Sequence, residues 1–209
     1  MPVTNTLETR RREYARFLLT FLFLGFLMKI ASEFIHEMGH ASFVLILGGR
    51  VTGMSISVEW PFTLSHTRWE LQNPTDIQVA LISVAGIGFD VFASLAGQII
   101  LRTRKEIQPF YAIALFWLSF WPYLSSVVYL VMGAFYPFGA VLDLIVPIPV
   151  SQLLLVTLCM IMLILSTSSL SILLHGLFSI VLHLETASAP VSYFCAVLHT
   201  FFVTITIVT

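Results

Sequence analysis

Long apolar segments occupy most of this 209-residue chain and limit what it can fold into. The first covers about residues 14–47, which as one helix is roughly 50 Å long and exceeds a hydrocarbon core of ~30 Å. Only 10% of the residues are charged, against about a quarter in a soluble domain. Because so little polar surface cannot coat a water-facing globule, we predict an all-α polytopic membrane protein within a lipid bilayer.

Further apolar segments follow, separated by turn signals and charges. They predict spans at residues 76–101, 110–135, 150–184 and 190–209. The segment 150–184 is long for one span and short for two, so we expect five transmembrane helices, or six if this segment divides. No repeat or linker separates the spans, and residues 1–209 are interpreted as a single multi-pass integral membrane domain.

Charge and cysteine content exclude two other classes of protein. A formal net charge of -1 provides no basic field for counterion release, so no nucleic-acid partner is expected. Cys159 and Cys195 lie in apolar segments, where cysteine behaves as a small hydrophobic residue, and two cysteines do not make a disulfide framework. The sequence leaves the oligomeric state open.

Residues 51–58 form the segment with the least helical pattern. Gly48 and Gly49 end the first apolar segment, as paired glycines often do. The β-branched residues and rough alternation that follow predict a short β-strand or hairpin. Val51 and Ile56 belong to this predicted strand.

Ionisable side chains are costly inside a membrane span, so each one is a functional hypothesis. His36 and His40 are spaced i, i+4, which on a helix lets both imidazoles reach one ion, and Glu37 lies beside them. Zinc hydrolases use this spacing, with the glutamate as general base. We therefore predict one Zn²⁺ per chain, with His36 and His40 as ligands and Glu37 as the catalytic residue. The alternative is that the two histidines form interhelical hydrogen bonds.

The segment His36–His40, followed by Gly-Gly-Arg-Val at 48–51, resembles the site-2 protease family of intramembrane zinc metalloproteases. The resemblance covers about residues 30–147 and leaves 150–209 as additional transmembrane helices. It implies hydrolysis of transmembrane protein substrates within the bilayer. It also implies that the strand holds an unwound substrate by β-addition, which makes Val51 and Ile56 candidate substrate-binding residues. A plain interfacial hairpin is the alternative.

Two further elements match the pattern of this family in part. Ala85-Gly86 resembles the start of its Ala-Gly-Pro-x-x-Asn element, although Ile87 replaces the proline and Asp90 the asparagine. Asp143 resembles the aspartate that supplies the third zinc ligand, but lacks the usual flanking Asn and Gly. We expect Asp143 to be the third ligand. Asp90 is the alternative ligand, a substrate-positioning group, or a polar residue that is hydrogen-bonded across helices.

The remaining ionisable residues in the spans have less specific patterns. Glu33 either accepts a hydrogen bond from an imidazole or pairs with Lys29 one turn earlier. His175 and His183 are expected to be core or interfacial residues, because no third ligand accompanies them.

The expected function is therefore that of an intramembrane zinc metalloendopeptidase. One alternative is a catalytically silent relative that acts as an interaction or regulatory protein, against which the presence of Glu37 argues. A small transporter is disfavoured because the chain lacks two halves with paired discontinuous helices. No peptide-binding module is recognised, so substrate selection is expected to come from the spans or from a regulatory membrane partner.

Two arguments about membrane orientation disagree. Basic residues concentrate at 10–16 and 102–105, whereas Arg50 and Arg68 are predicted on the opposite side. The positive-inside rule therefore places the N-terminus in the cytoplasm. The family resemblance implies the reverse, with the Gly-Gly loop cytoplasmic.

Overall fold

The computed structural model describes residues 3–57, 65–104 and 107–135, with Thr157 and Ile161. The elements in chain order are α1 (Val3–Ile46), β1 (Arg50–Ser55), β2 (His66–Glu70), α2 (Asp76–Thr103) and α3 (Pro109–Phe135). Within this part of the chain, three helices are long and apolar enough to cross a membrane, at Ala15–Ile46, Asp76–Thr103 and Pro109–Leu130. These three helices match the first three predicted spans, and the spans predicted from residue 150 onward lie outside the described residues.

Turn residues set the ends of α1 and α2. Gly48 leaves α1 with a φ of 81°, a left-handed conformation that glycine adopts without steric cost. Thr75 begins α2 with a capping box, in which its hydroxyl accepts from the Gln78 backbone N–H and the Gln78 side chain accepts from the Thr75 backbone N–H. Both ends lie on the side of the molecule where the strands connect α1 to α2.

The predicted strand is confirmed as one half of a hairpin, formed by β1 and β2. The strands pair antiparallel, with Val51 opposite Trp69 and Gly53 opposite Arg68, so that Thr52 forms a bulge. β1 ends at Ser55, one residue before Ile56, so the strand is shorter at this end than the sequence predicts. The hairpin packs against α1.

Indole groups join α1 to α3. Nε1 of Trp117 donates to the carbonyl oxygen of Phe21, and Nε1 of Trp121 donates to that of Gly25, both at 2.8 Å. Each pair is separated by the same 96 residues, so the two helices run in the same direction. The aromatic side chains around Phe21 and Trp117 form part of the core between these helices.

The backbones of α1 and α2 approach each other closely. A Cβ atom on Gly39 would lie 2.6 Å from the carbonyl oxygen of Ala85. A larger residue at position 39 would therefore require the backbone of α1 or α2 to shift. α1 ends at Ile46, so Gly39 lies roughly 10 Å from that end along the helix axis, at 1.5 Å per residue. The close approach therefore lies inside the apolar span, below its hairpin end.

Candidate metal centre

Two imidazoles converge beside this close approach. His36 and His40 lie one turn apart on α1, and their Nε2 atoms are 3.1 Å apart. The rings meet nearly edge to face, with an interplanar angle of 78°. The i, i+4 spacing read from the sequence thus brings the two expected ligands to one point.

The opposite nitrogen of each ring is fixed by a partner on α2. Nδ1 of His36 lies 2.7 Å from Oδ2 of Asp90, and Nδ1 of His40 lies 2.7 Å from the carbonyl oxygen of Ile82. A carbonyl only accepts hydrogen bonds, as an ionised carboxylate does, so each Nδ1 carries the proton and donates it. In the neutral imidazoles, both Nε2 lone pairs consequently face each other.

The facing lone pairs fit a zinc ion. Two lone pairs at this distance repel unless a proton or a metal ion lies between them, and zinc accepts imidazole nitrogen at ~2.0–2.1 Å. Two nitrogens on a tetrahedral zinc ion are then about 3.3 Å apart, close to the 3.1 Å between the Nε2 atoms of His36 and His40. Ligand atoms of His36, Glu37 and His40 all lie within 4.8 Å of one another. Metal-binding histidines commonly donate their second N–H to a carboxylate or carbonyl, as both do here.

Gly86 leaves space beside the two Nε2 atoms because it has no side chain. A Cβ atom added to it would lie 2.6 Å from Nε2 of both His36 and His40. Any side chain at position 86 would therefore occupy the space into which the two lone pairs point. The Ala85-Gly86 pair singled out in the sequence thus provides both the close helix approach and this opening.

Glu37 lies in the same turn of α1 as the histidines, and a residue of the hairpin hydrogen-bonds to its carboxylate. Its side chain is only 2% exposed, and its Oε2 accepts a hydrogen bond of 2.7 Å from Oγ1 of Thr67 on β2. The same hydroxyl lies 3.2 Å from the Glu37 carbonyl oxygen. Buried carboxylates require such partners because losing water is costly.

Asp90 is the most enclosed carboxylate of the described residues. Its exposed fraction is 0%, and its Oδ2 accepts from Oγ of Ser126 on α3 at 3.1 Å as well as from His36. The side chain thus ties all three helices together at the level of His36. This arrangement supports an orienting role for Asp90, whereas its roles as a direct ligand or substrate-positioning group stay predictions.

Glu33 pairs with Lys29 one turn earlier on α1, as one of the two expected alternatives has it. Its other carboxylate oxygen, Oε2, accepts a hydrogen bond of 2.7 Å from Oγ of Ser65, just before β2. The two histidines take their Nδ1 partners from α2, so Glu33 is not the residue that orients them.

The other predicted site residues are placed as follows. Val51 lies in β1 and Ile56 directly follows it, while Asp143 and His175 lie outside the described residues. Sequence reasoning missed Thr67 and Ser65. The alternation of ionisable residues with Thr67 and Trp69 over residues 66–70 was the available signal for β2.

Comparisons of this chain with protein-family models, curated protein sequences and solved structures give no match.

Proposed function

We propose that this protein is an intramembrane zinc metalloendopeptidase that hydrolyses transmembrane protein substrates within the bilayer. The observation that carries the proposal is the pair of Nε2 atoms of His36 and His40, which lie 3.1 Å apart while both Nδ1 atoms are engaged on α2. Together with Glu37 in the same turn, this is the donor set of a zinc hydrolase.

His36 and His40 are the proposed protein ligands, and Asp143 is the proposed third one. When bound, zinc supplies Lewis acidity, which activates water and stabilises negative charge on a carbonyl oxygen. Asp90 and the Ile82 carbonyl keep the protons on the Nδ1 atoms, so the Nε2 lone pairs remain available. The protein thereby fixes the orientation of both ligands before metal binds.

Glu37 is the proposed general base. One lone pair of its Oε2 is used by Thr67, so the carboxylate retains acceptor capacity for a proton taken from water. The same group then returns the proton to the leaving amine. Because Glu37 is only 2% exposed, bulk water does not compete for hydrogen bonds to this carboxylate.

Substrate positioning is proposed for the hairpin. A transmembrane substrate is helical, and its backbone groups are bonded to one another, so it must unwind before hydrolysis. The edge of β1 that does not pair with β2 offers backbone donors and acceptors to an extended segment, and the residues proposed to bind it are Val51 in β1 and Ile56 just after β1. The hydrogen bond between Thr67 and Glu37 supports this role, because it joins the hairpin to the proposed base.

The test is zinc content and peptide hydrolysis of the purified chain in detergent or liposomes, with a helical transmembrane substrate. We expect about one zinc per chain, lost in His40→Ala, and cleavage that Glu37→Gln abolishes while zinc is retained. Glu70→Gln, an exposed carboxylate on β2, is the matched control and should cleave normally. Zinc without cleavage across a panel of membrane substrates would favour the silent, regulatory relative instead. Absence of zinc binding would reject the metallopeptidase altogether.

A further inference from the structure

Two hydroxyl groups of the hairpin bind two carboxylates of α1. Oγ of Ser65 donates to Oε2 of Glu33, and Oγ1 of Thr67 donates to Oε2 of Glu37, each at 2.7 Å. Ser65 and Thr67 are two residues apart along the chain, and Glu33 and Glu37 are four apart. We call this set of four residues the clasp.

The spacing of the clasp follows from the geometry of the two elements. Two residues along a strand advance about 6.6–6.8 Å on one face. Four residues along a helix advance about 6.0 Å, also on one face. Because these repeats nearly coincide, both hydrogen bonds form together in one register. A shift of β2 by one residue would turn both hydroxyls away from α1.

The two carboxylates of the clasp differ in their charged neighbours. Glu33 lies one helical turn from Glu37, where like charges repel. Lys29 pairs with Oε1 of Glu33 and thus balances that neighbouring charge. Among the described residues, Glu37 forms no ion pair, and its carboxylate accepts a hydrogen bond from the neutral Thr67 hydroxyl, so Thr67 fixes the carboxylate without adding a charge.

One residue of the clasp also contacts the segment that follows β1. The backbone N–H of Ser57 donates to Oγ of Ser65 at 3.0 Å. Ser65 therefore joins Glu33 to the segment that follows β1, and the hairpin is held at both strands. The placement of the strand edge and that of the Glu37 carboxylate depend on the same two hydroxyl groups.

We propose that Thr67 is a positioning residue for the catalytic Glu37, and that Ser65, through Glu33, fixes the hairpin in the register that Thr67 needs. The proposal rests on the proposed function for its catalytic consequence. The contact itself is independent of that function. The hairpin thereby performs two tasks, since it orients the base and holds the edge at which a substrate is extended.

The catalytic consequence is tested with Thr67→Val, which replaces the hydroxyl by a methyl group of similar size. We expect kcat to fall about tenfold or more, with KM within twofold and one zinc per chain retained. Thr67→Ser keeps the hydroxyl and should restore most of kcat. Thr103→Val, an exposed threonine at the far end of α2, is the matched control and should behave as wild type. Unchanged kcat in Thr67→Val, or no rescue by Thr67→Ser, would overturn the positioning role.

A double-mutant cycle tests the clasp without substrate or metal. Thr67→Val, Glu37→Leu and the double variant are compared by thermal unfolding of the metal-free protein in detergent. We expect the double variant to lose clearly less in Tm than the sum of the two single losses, because both remove the same bond. Additive losses would overturn the bond between Thr67 and Glu37, and with it the positioning role, even if the chain is a peptidase. Coupled losses in a chain that binds no zinc would leave the clasp standing and reject the proposed function together with the catalytic role of Thr67.

Discussion

Asp90 and His36 are joined across α2 and α1 by a hydrogen bond of 2.7 Å between Oδ2 and Nδ1. The two residues are 54 positions apart in the chain, and the carboxylate is completely buried. The bond selects the tautomer that leaves Nε2 of His36 as a lone pair. A carboxylate at position 90 is therefore expected to act on the candidate metal centre through the histidine.

This relationship predicts the effect of Asp90→Asn on zinc binding. An amide is a weaker acceptor than a carboxylate and does not enforce one tautomer, so we expect zinc affinity to fall about 10- to 100-fold. Competition with a chelator measures the affinity, and Asp76→Asn, an exposed aspartate at the start of α2, should leave it unchanged. If Asp90 were instead a direct ligand, its replacement would remove nearly all bound zinc.

Position 86 predicts a steric effect on the same site. In Gly86→Ala the added Cβ would lie 2.6 Å from both Nε2 atoms, so we expect zinc per chain to fall well below one. Gly88→Ala is the matched control on the same helix, because a Cβ there meets nothing within 4 Å. Metal analysis of the two purified variants compares them directly. Full zinc content in Gly86→Ala would mean that the ion does not lie between the two imidazoles.

The third ligand is tested by Asp143→Asn. An amide is a much poorer zinc ligand than a carboxylate, so we expect this substitution to weaken zinc binding more strongly than Asp90→Asn does. Chelator competition on both variants shows which substitution weakens zinc binding more. Unaltered zinc affinity in Asp143→Asn would assign the third ligand elsewhere, and His175→Ala is then the variant to measure.

The hairpin edge is tested at Ile56. Proline removes a backbone donor and fixes φ, so Ile56→Pro should reduce turnover of a helical transmembrane substrate while zinc content stays near one per chain. Ile56→Ala should have a milder effect. Gly or Pro placed near the cleavage point of the substrate should raise turnover by the wild-type chain. Normal cleavage by Ile56→Pro would reject substrate addition at this edge.

Local patterns in the sequence were sufficient for the three described helices and the histidine pair. The first three apolar segments match α1, α2 and α3 to within a few residues, except that α1 begins earlier, at Val3. His36 and His40 converge because their spacing equals one helical turn. Such features depend only on neighbours along one helix, so periodicity is enough to find them.

The partners of the site residues required tertiary structure. Asp90 contacts His36 across 54 residues, and Thr67 contacts Glu37 across 30. The hydrogen-bonding capacity of these side chains is visible in the sequence, but their partners are set by the crossing of α1 with α2 and by the register of β2. The sequence predicted Asp90 at the site without its bond to His36, and it did not predict Thr67 at all.

The division of the centre between two helices also bears on biogenesis. α1 carries both imidazoles, but the groups that fix their tautomers, Asp90 and the Ile82 carbonyl, belong to α2. During synthesis α1 therefore emerges with its proposed ligands unoriented, and they become oriented only when α2 has inserted and packed against Gly39. Metal loading is thus expected to follow helix assembly. Retained zinc would then report that a newly made chain has completed this step in the membrane.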